Sequence, residues 1–155
     1  MTANETILHQ FYTAFANGDS KKMSEFYAPS VRFHDPAFGL LKDRDVPKMW
    51  KMLLANSKGK LKIEFYDLKA DEYKGSARWI ATYTFSKTNR KVVNKIYSQF
   101  HFKEGVIIKQ TDNFDIWKWA KQAFGITGLL FGWTGYMQSK IQEKALLSLN
   151  KFNEA

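Results

Sequence analysis

Residues 96–115, IYSQFHFKEGVIIKQTDNFD, decide the architecture. Ile96, Ser98, Phe100 and Phe102 share one parity, and the residues between them share the other, which is the period of a strand. Lys103-Glu104-Gly105 reads as a hairpin turn, after which Val106, Ile108, Gln110, Asp112 and Phe114 continue on one parity. The same texture runs upstream. Leu61, Ile63 and Phe65 alternate with Lys62 and Glu64, and Ala77, Trp79, Ala81, Tyr83 and Phe85 follow before the polar turn at 86–91. These segments predict a three- or four-stranded antiparallel meander.

The N-terminal part has the helical period instead. Ile7, Leu8, Phe11 and Phe15 make an apolar stripe on a helix over about Glu5–Ala16. Asp19 or Ser20 is expected to cap a short second helix carrying Met23, Phe26 and Tyr27, ended by Ala28-Pro29. A short strand over Val31–Asp35 closes at Pro36. Asp43 or Asp45 is expected to cap a third helix with Val46, Met49, Trp50, Leu53 and Leu54 on one face and Pro47 in its first turn. After the meander, Asp115 is placed to cap a helix over 116–124. A Gly-punctuated run, GITGLLFGWTG, follows, and then a last helix from about Tyr136 to Phe152. Helices first and an antiparallel sheet after them make an α+β pattern in one domain over 1–155.

The 155 residues include 13 Phe, 5 Trp and 7 Tyr, enough for a packed core rather than a disordered chain. Zero Cys excludes disulfides, thiolate metal sites and a Cys nucleophile. His9, His34 and His101 show no metal-binding spacing, so no metal and no organic cofactor is expected. No signal peptide and no apolar run long enough to span a bilayer is visible, and a cytoplasmic protein is expected. The net charge is +9, and residues 86–111 alone carry six basic groups against one acidic group. That concentration, without a basic run longer than two residues, reads as a solvated hairpin rather than a nucleic-acid surface.

Four polar residues fall on the apolar parity of the strands. Val31 and Phe33 carry Asp35 inward with them. Ser98 shares a face with Ile96 and Phe100, and Gln110 and Asp112 lie between Ile108 and Phe114. An ionised carboxylate buried without partners costs several kcal/mol or evades the cost by a raised pKa. The pattern suggests an apolar pocket spotted with polar groups. Trp50, Trp79 and Tyr83 read first as core rings that also sit on the right faces to wall it with Phe100. Tyr12 reads first as core packing, with a hydroxyl able to point into a cavity. The structural alternatives are that Asp35 bonds backbone in the turn at Pro36, and that Asp112 ends a strand or pairs with a Lys. On the other parity Arg78, Lys95, His101 and Lys109 mix with Ile80, Val93, Tyr97 and Ile107, a composition suited to a homodimer interface. The Leu129–Trp133 run has neither period and reads as a lid, a dimer contact or a membrane-touching loop, in that order.

NGDSKKMSEFYAPSVRFHDPAFG (17–39) resembles the signature of the nuclear transport factor 2-like superfamily, with its ketosteroid isomerase and SnoaL-like polyketide cyclase branches. QTDNFDIWKWAKQAFGITGLLFGWTG (110–135) is similar to the strand end and helical extension of the SnoaL-like branch. The resemblance implies a curved antiparallel sheet wrapped by three N-terminal helices into a cone with an internal pocket, commonly dimerising through the sheet. It implies roles as well. Asp35 of HDP stands where ketosteroid isomerase has its general base. Phe11 stands where that enzyme has an oxyanion-hole Tyr, with Tyr12 about 100° further around the helix. Ser98 stands at its neutral hydrogen-bonding Asp. Asp112 of TDNFD stands where the cyclases and limonene epoxide hydrolase have a catalytic Asp. The hydrolase's Arg-x-Asp pair has no counterpart, Arg78 being followed by Trp79-Ile80.

The expected function is acid/base chemistry by carboxylates in an apolar pocket, of isomerase or cyclase type, on a ketide-, terpenoid- or steroid-like compound. Asp112 is the expected general acid/base and Asp35 a second carboxylate orienting water or sharing the proton. Gln110, Tyr12 and Tyr83 would hold a carbonyl or hydroxyl, beside Ser98 and the ring walls. The alternative is a non-catalytic protein that binds a small or lipid-like ligand in the same place. A third reading, an assembly or nucleic-acid-binding protein, would use the basic outer sheet face.

Overall fold

The computed structural model describes residues 1–152; the last three residues of the expected domain, 153–155, lie outside them. Helix α1 (Ala3–Ala16) starts where the Thr2 hydroxyl accepts from the Glu5 amide, and it buries Leu8, Phe11, Tyr12 and Phe15. Asp19 caps α2 (Ser20–Ser24) as expected, accepting from the Lys22 amide. That helix ends sooner than its sequence suggests. Strand β1 (Tyr27–Asp35) already includes Tyr27, Ala28 and Pro29. Pro29 is tolerated there because the ladder with the neighbouring strand shifts register between Tyr27 and Arg32.

A short strand absent from the sequence reading, β2 (Gly39–Lys42), folds back on β1 with Leu41 opposite Phe33. Helix α3 (Asp45–Ser57) follows without a side-chain cap. Asp43 cannot serve: its backbone is left-handed at φ 54° and its carboxylate meets Arg32 Nη1 at 2.8 Å. Asp45 is already inside the first turn.

The meander has four strands, β3 (Lys62–Ala70), β4 (Lys74–Phe85), β5 (Arg90–Lys103) and β6 (Val106–Asn113), in a six-stranded sheet ordered β2-β1-β6-β5-β4-β3. The sheet is mixed rather than antiparallel, because β1 lies parallel to β6. Two strands so far apart in sequence can pair that way because the intervening elements carry the chain back to the same end. Glu104-Gly105 makes the β5–β6 turn with φ 50° and 78°. Next to it β6 carries an extra residue. His101 faces Lys109 and Phe102 faces Ile107, so Ile108 is bulged out of the count. The bulge reverses one expectation: Ile107 is fully buried, not on the outer face. Beyond it Gln110 and Asp112 keep the inward parity.

The core between sheet and helices is built of rings. Phe15 lies 5.0 Å from Trp50 and 5.2 Å from Trp79, and Tyr12 lies 5.9 Å from Trp79. Each such ring contributes roughly 1.5–3 kcal/mol by leaving water. Asp115 caps α4 (Ile116–Phe124), as expected, accepting from the Lys118 amide. Trp119, Ala120 and Ala123 of α4 pack with Val92 and Phe85 as a second apolar cluster. Helix α5 (Ile126–Phe131) and helix α6 (Gly135–Lys151) are the last elements among the described residues, α6 burying Ile141 and Leu149. Among the described residues no helix is long and apolar enough to cross a membrane.

Candidate functional site: a polarised hydrogen-bond chain ending on Asp112

The four polar residues placed inward by parity are all buried: Ser98 and Gln110 at 0 %, Asp112 at 2 % and Asp35 at 9 % relative exposure. Three of them meet. On β5 and β6, Ser98 and Asp112 are opposite each other, and the Ser98 hydroxyl donates to Asp112 Oδ1 at 2.6 Å. Gln110, two residues along the same face, donates from Nε2 to that oxygen at 3.0 Å. Each donor has a supplier behind it. Trp79 Nε1 donates to Ser98 Oγ at 2.7 Å. Tyr27 donates to Gln110 Oε1 at 2.5 Å, and Trp50 Nε1 donates to the Tyr27 oxygen at 2.8 Å.

The direction of this chain follows from chemistry. An indole N–H can only donate. Trp50 therefore fills the Tyr27 oxygen from one side and leaves the Tyr27 proton for Gln110 Oε1. That turns the amide NH2 toward Asp112. Trp79 likewise fills Ser98 Oγ and leaves the serine proton for Asp112. Both arms arrive as donors on Oδ1, so a proton carried by Asp112 belongs on Oδ2.

Burial pushes the Asp112 carboxyl up to about 7; the Ser98 and Gln110 bonds oppose the rise and the Asp35 charge adds to it. Tyr12 stands beside this group. Its hydroxyl is fully buried, lies next to Ser98 outside hydrogen-bond geometry, and is the buried side-chain polar atom without a partner among the described residues. Burial first, and the Asp112 charge second, hold its pKa well above the usual phenol value, so it remains a donor.

Asp35 takes the turn role. Its Oδ1 accepts from the amides of Ala37 at 2.9 Å and Phe38 at 2.6 Å. Burial still pushes it up to about 6 against those two bonds. It is not hydrogen-bonded into the Asp112 chain and acts on it through charge alone. Tyr83 is also outside the chain, its oxygen accepting from Trp119 Nε1 at 2.7 Å. Phe100 is a wall, 6.3 Å from both Phe11 and Tyr12. Trp50 and Trp79, expected only as walls, are the donors at the far ends of the two arms.

Sequence reasoning missed Tyr27, which it left on a helix. The signal was there: Tyr27 shares the odd parity of Val31, Phe33 and Asp35, and only the helical reading of Ala28-Pro29 hid it. The hollow expected around Asp112 is occupied by the rings of Tyr12, Phe15, Trp50 and Trp79. A surface cleft of about 560 Å³ opens elsewhere, between Glu5, Lys74, Tyr97 and His101. Of the expected ligand residues it borders only Phe100.

The fold has counterparts among known proteins. No curated protein matches the sequence. Among solved structures, Bal32a from a soil-derived mobile gene cassette superposes with a TM-score of 0.69 at 20 % identity, over 78 % of this chain and 96 % of its own. IdmH of Streptomyces antibioticus, a candidate polyketide cyclase, does so with 0.64 at 17 % identity, over 77 % and 96 %. An LEH-like epoxide hydrolase of M. tuberculosis gives 0.60 at 15 % identity, over 83 % and 92 %. These likenesses are of fold. The sequence pattern of the SnoaL-like domain matches residues 8–110, more than half of the chain, and the chain belongs to that family.

Proposed function

We propose that the protein transfers a proton on a mostly apolar, enolisable small molecule, with Asp112 as the acid/base and Tyr12 as the hydrogen-bond donor to the substrate oxygen. The observation that carries this reading is the polarity of the chain from Trp50 and Trp79, which saturates Oδ1 and leaves Oδ2 to hold the proton. Asp112 Oδ2 would take a proton from the carbon beside a carbonyl. The electron pair would move to the carbonyl oxygen, held by the Tyr12 O–H. Return of the proton at another carbon completes an isomerisation; attack of the enolate carbon on a second carbonyl, whose oxygen takes the proton back from Asp112 Oδ2 as it becomes a hydroxyl, completes a ring closure. A group poised near neutrality serves both directions.

Leaving the Tyr12 hydroxyl unpaired costs about 1–3 kcal/mol, a cost that a ligand oxygen would relieve. In this reading Phe15, packed against Trp50 and Trp79, yields to admit the ligand while Trp79 keeps its bond to Ser98, and Asp35 tunes Asp112 by charge. The exposed sheet face, where Arg78 stacks on Tyr97 at 4.7 Å, is the proposed homodimer surface.

The test is exchange in D2O. Ketide-, terpenoid- and steroid-type ketones are incubated with the protein and with Asp112→Asn, and deuterium beside the carbonyl is read by mass spectrometry. Exchange by the wild type that Asp112→Asn loses supports the reading. Ligands retained without exchange, equally by both proteins, would assign the site to binding alone.

A further inference from the structure

Helix α5 is inside out. The residue it buries is Gly128, while Ile126 is 75 % exposed and Leu129, Leu130 and Phe131 are each about half exposed. A Cβ at Gly128 would collide with the Ala120 carbonyl oxygen, and one at Gly132 would stand 2.7 Å from Ala120 Cβ. The glycines thus let α5 lie flat on α4, and the large apolar side chains turn outward. Trp133 and Tyr136 extend the patch at 63 % and 76 % exposure, with Trp117 beside it. Trp117 Nε1 donates to the Leu129 carbonyl, fixing the edge. Large apolar side chains exposed together along one short helix and its flanks mark an interaction site.

The charges around it point to one kind of partner. Residues 116–142 contain Lys118, Lys121 and Lys140 and no carboxylate. Lys121 sits over the Trp117 ring at 4.4 Å and Lys140 over the Tyr136 ring at 5.7 Å. Lys140 also reaches Glu143, the first acid beyond the segment, at 3.4 Å. A cleft of about 300 Å³ sets Arg90 and Lys121 against Ile126 and Leu129. Cations beside alkyl groups and indole and phenol rings at the rim match a bilayer interface, where acyl chains take the apolar groups and phosphates the cations. A two-fold contact with a second copy would instead set this lysine rim against itself.

We propose that α5 and its flanks dock the protein on an anionic lipid surface, lying in the headgroup layer without crossing it. The full chain is tested by co-sedimentation with vesicles of phosphatidylcholine alone and of phosphatidylcholine with phosphatidylglycerol. Tryptophan emission is followed in the same samples, and light scattering gives the mass in solution. Wild type is expected to sediment with the anionic vesicles and shift its emission to the blue. Leu130→Glu with Phe131→Glu, both at exposed positions, is expected to stay in solution with an unchanged circular dichroism spectrum. Lys121→Gln and Lys140→Gln should each weaken binding about fivefold. Wild type that ignores anionic vesicles overturns the proposal, as does an acidic variant that binds as tightly as wild type. Vesicle-independent dimers that the same acidic pair dissociates would also overturn it and assign the patch to a second copy.

Discussion

Ser98 and Asp112 are direct cross-strand partners, and the serine hydroxyl donates to Asp112 Oδ1 at 2.6 Å while accepting from Trp79. A hydroxyl with an indole behind it cannot turn away, so it holds that oxygen as an acceptor. Ser98→Ala removes one of the two bonds that oppose the raised pKa of Asp112 and leaves the Trp79 N–H unpaired. The expected result is a stability loss of about 1–3 kcal/mol, read from urea midpoints. The Asp112 titration should also move upward. An unchanged midpoint would mean that Trp79 and Asp112 find other partners.

Tyr12→Phe separates folding from function. Because its hydroxyl has no partner, the variant should be as stable as wild type or gain up to about 1–2 kcal/mol. Exchange of the substrate proton should nonetheless fall by about 100-fold, in the range of a lost donor at a developing oxyanion. Loss of stability without loss of activity would remove Tyr12 from the site.

Tyr27 joins Trp50 to Gln110, so Tyr27→Phe leaves an indole N–H and an amide oxygen unpaired at once. A loss of about 1–3 kcal/mol is expected. Combined with Ser98→Ala, it should show a coupling of about 0.5 kcal/mol or more, because the two arms meet on one oxygen. Strict additivity by denaturant titration would mean that the arms act separately.

Stability should fall as pH rises through the range from about 4 to about 7. The unfolded carboxylates titrate near 3.9. In the native protein Asp35 is pushed up to about 6 and Asp112 to about 7, both by burial. The native state therefore holds more protons than the unfolded state in that interval. The contribution is full below the unfolded value and lost as pH passes the two native values, with Asp112 the larger share because its shift is the larger. Urea midpoints of wild type against Asp112→Asn across this interval isolate the Asp112 share; parallel curves would refute it.

Strand parity, readable from Ile96 to Phe114, placed Ser98, Gln110 and Asp112 correctly, because one buried face fixes the register of every second residue. Parity does not say which polar groups touch. The convergence on Oδ1 depends on Tyr27 and Trp50, brought in by β1 and α3, far from β6 in sequence. Ile107 escaped the pattern because a bulge adds a residue that sequence alone does not mark. Asp35 kept the inward face, but the amides that follow Pro36 claimed its oxygen for a turn. Burial of the apolar parity was legible; how the rings fill the interior depends on side-chain packing between elements, which periodicity does not encode.

The central claim is that Asp112 exchanges its proton near neutral pH and holds it, when protonated, on the oxygen opposite the donors. Its most direct test is the 13C resonance of the Asp112 side-chain carboxyl in aspartate-labelled protein, assigned by its absence in Asp112→Asn and followed with pH. The account predicts a midpoint near 7. A midpoint near the ordinary aspartate value of about 4 would contradict it.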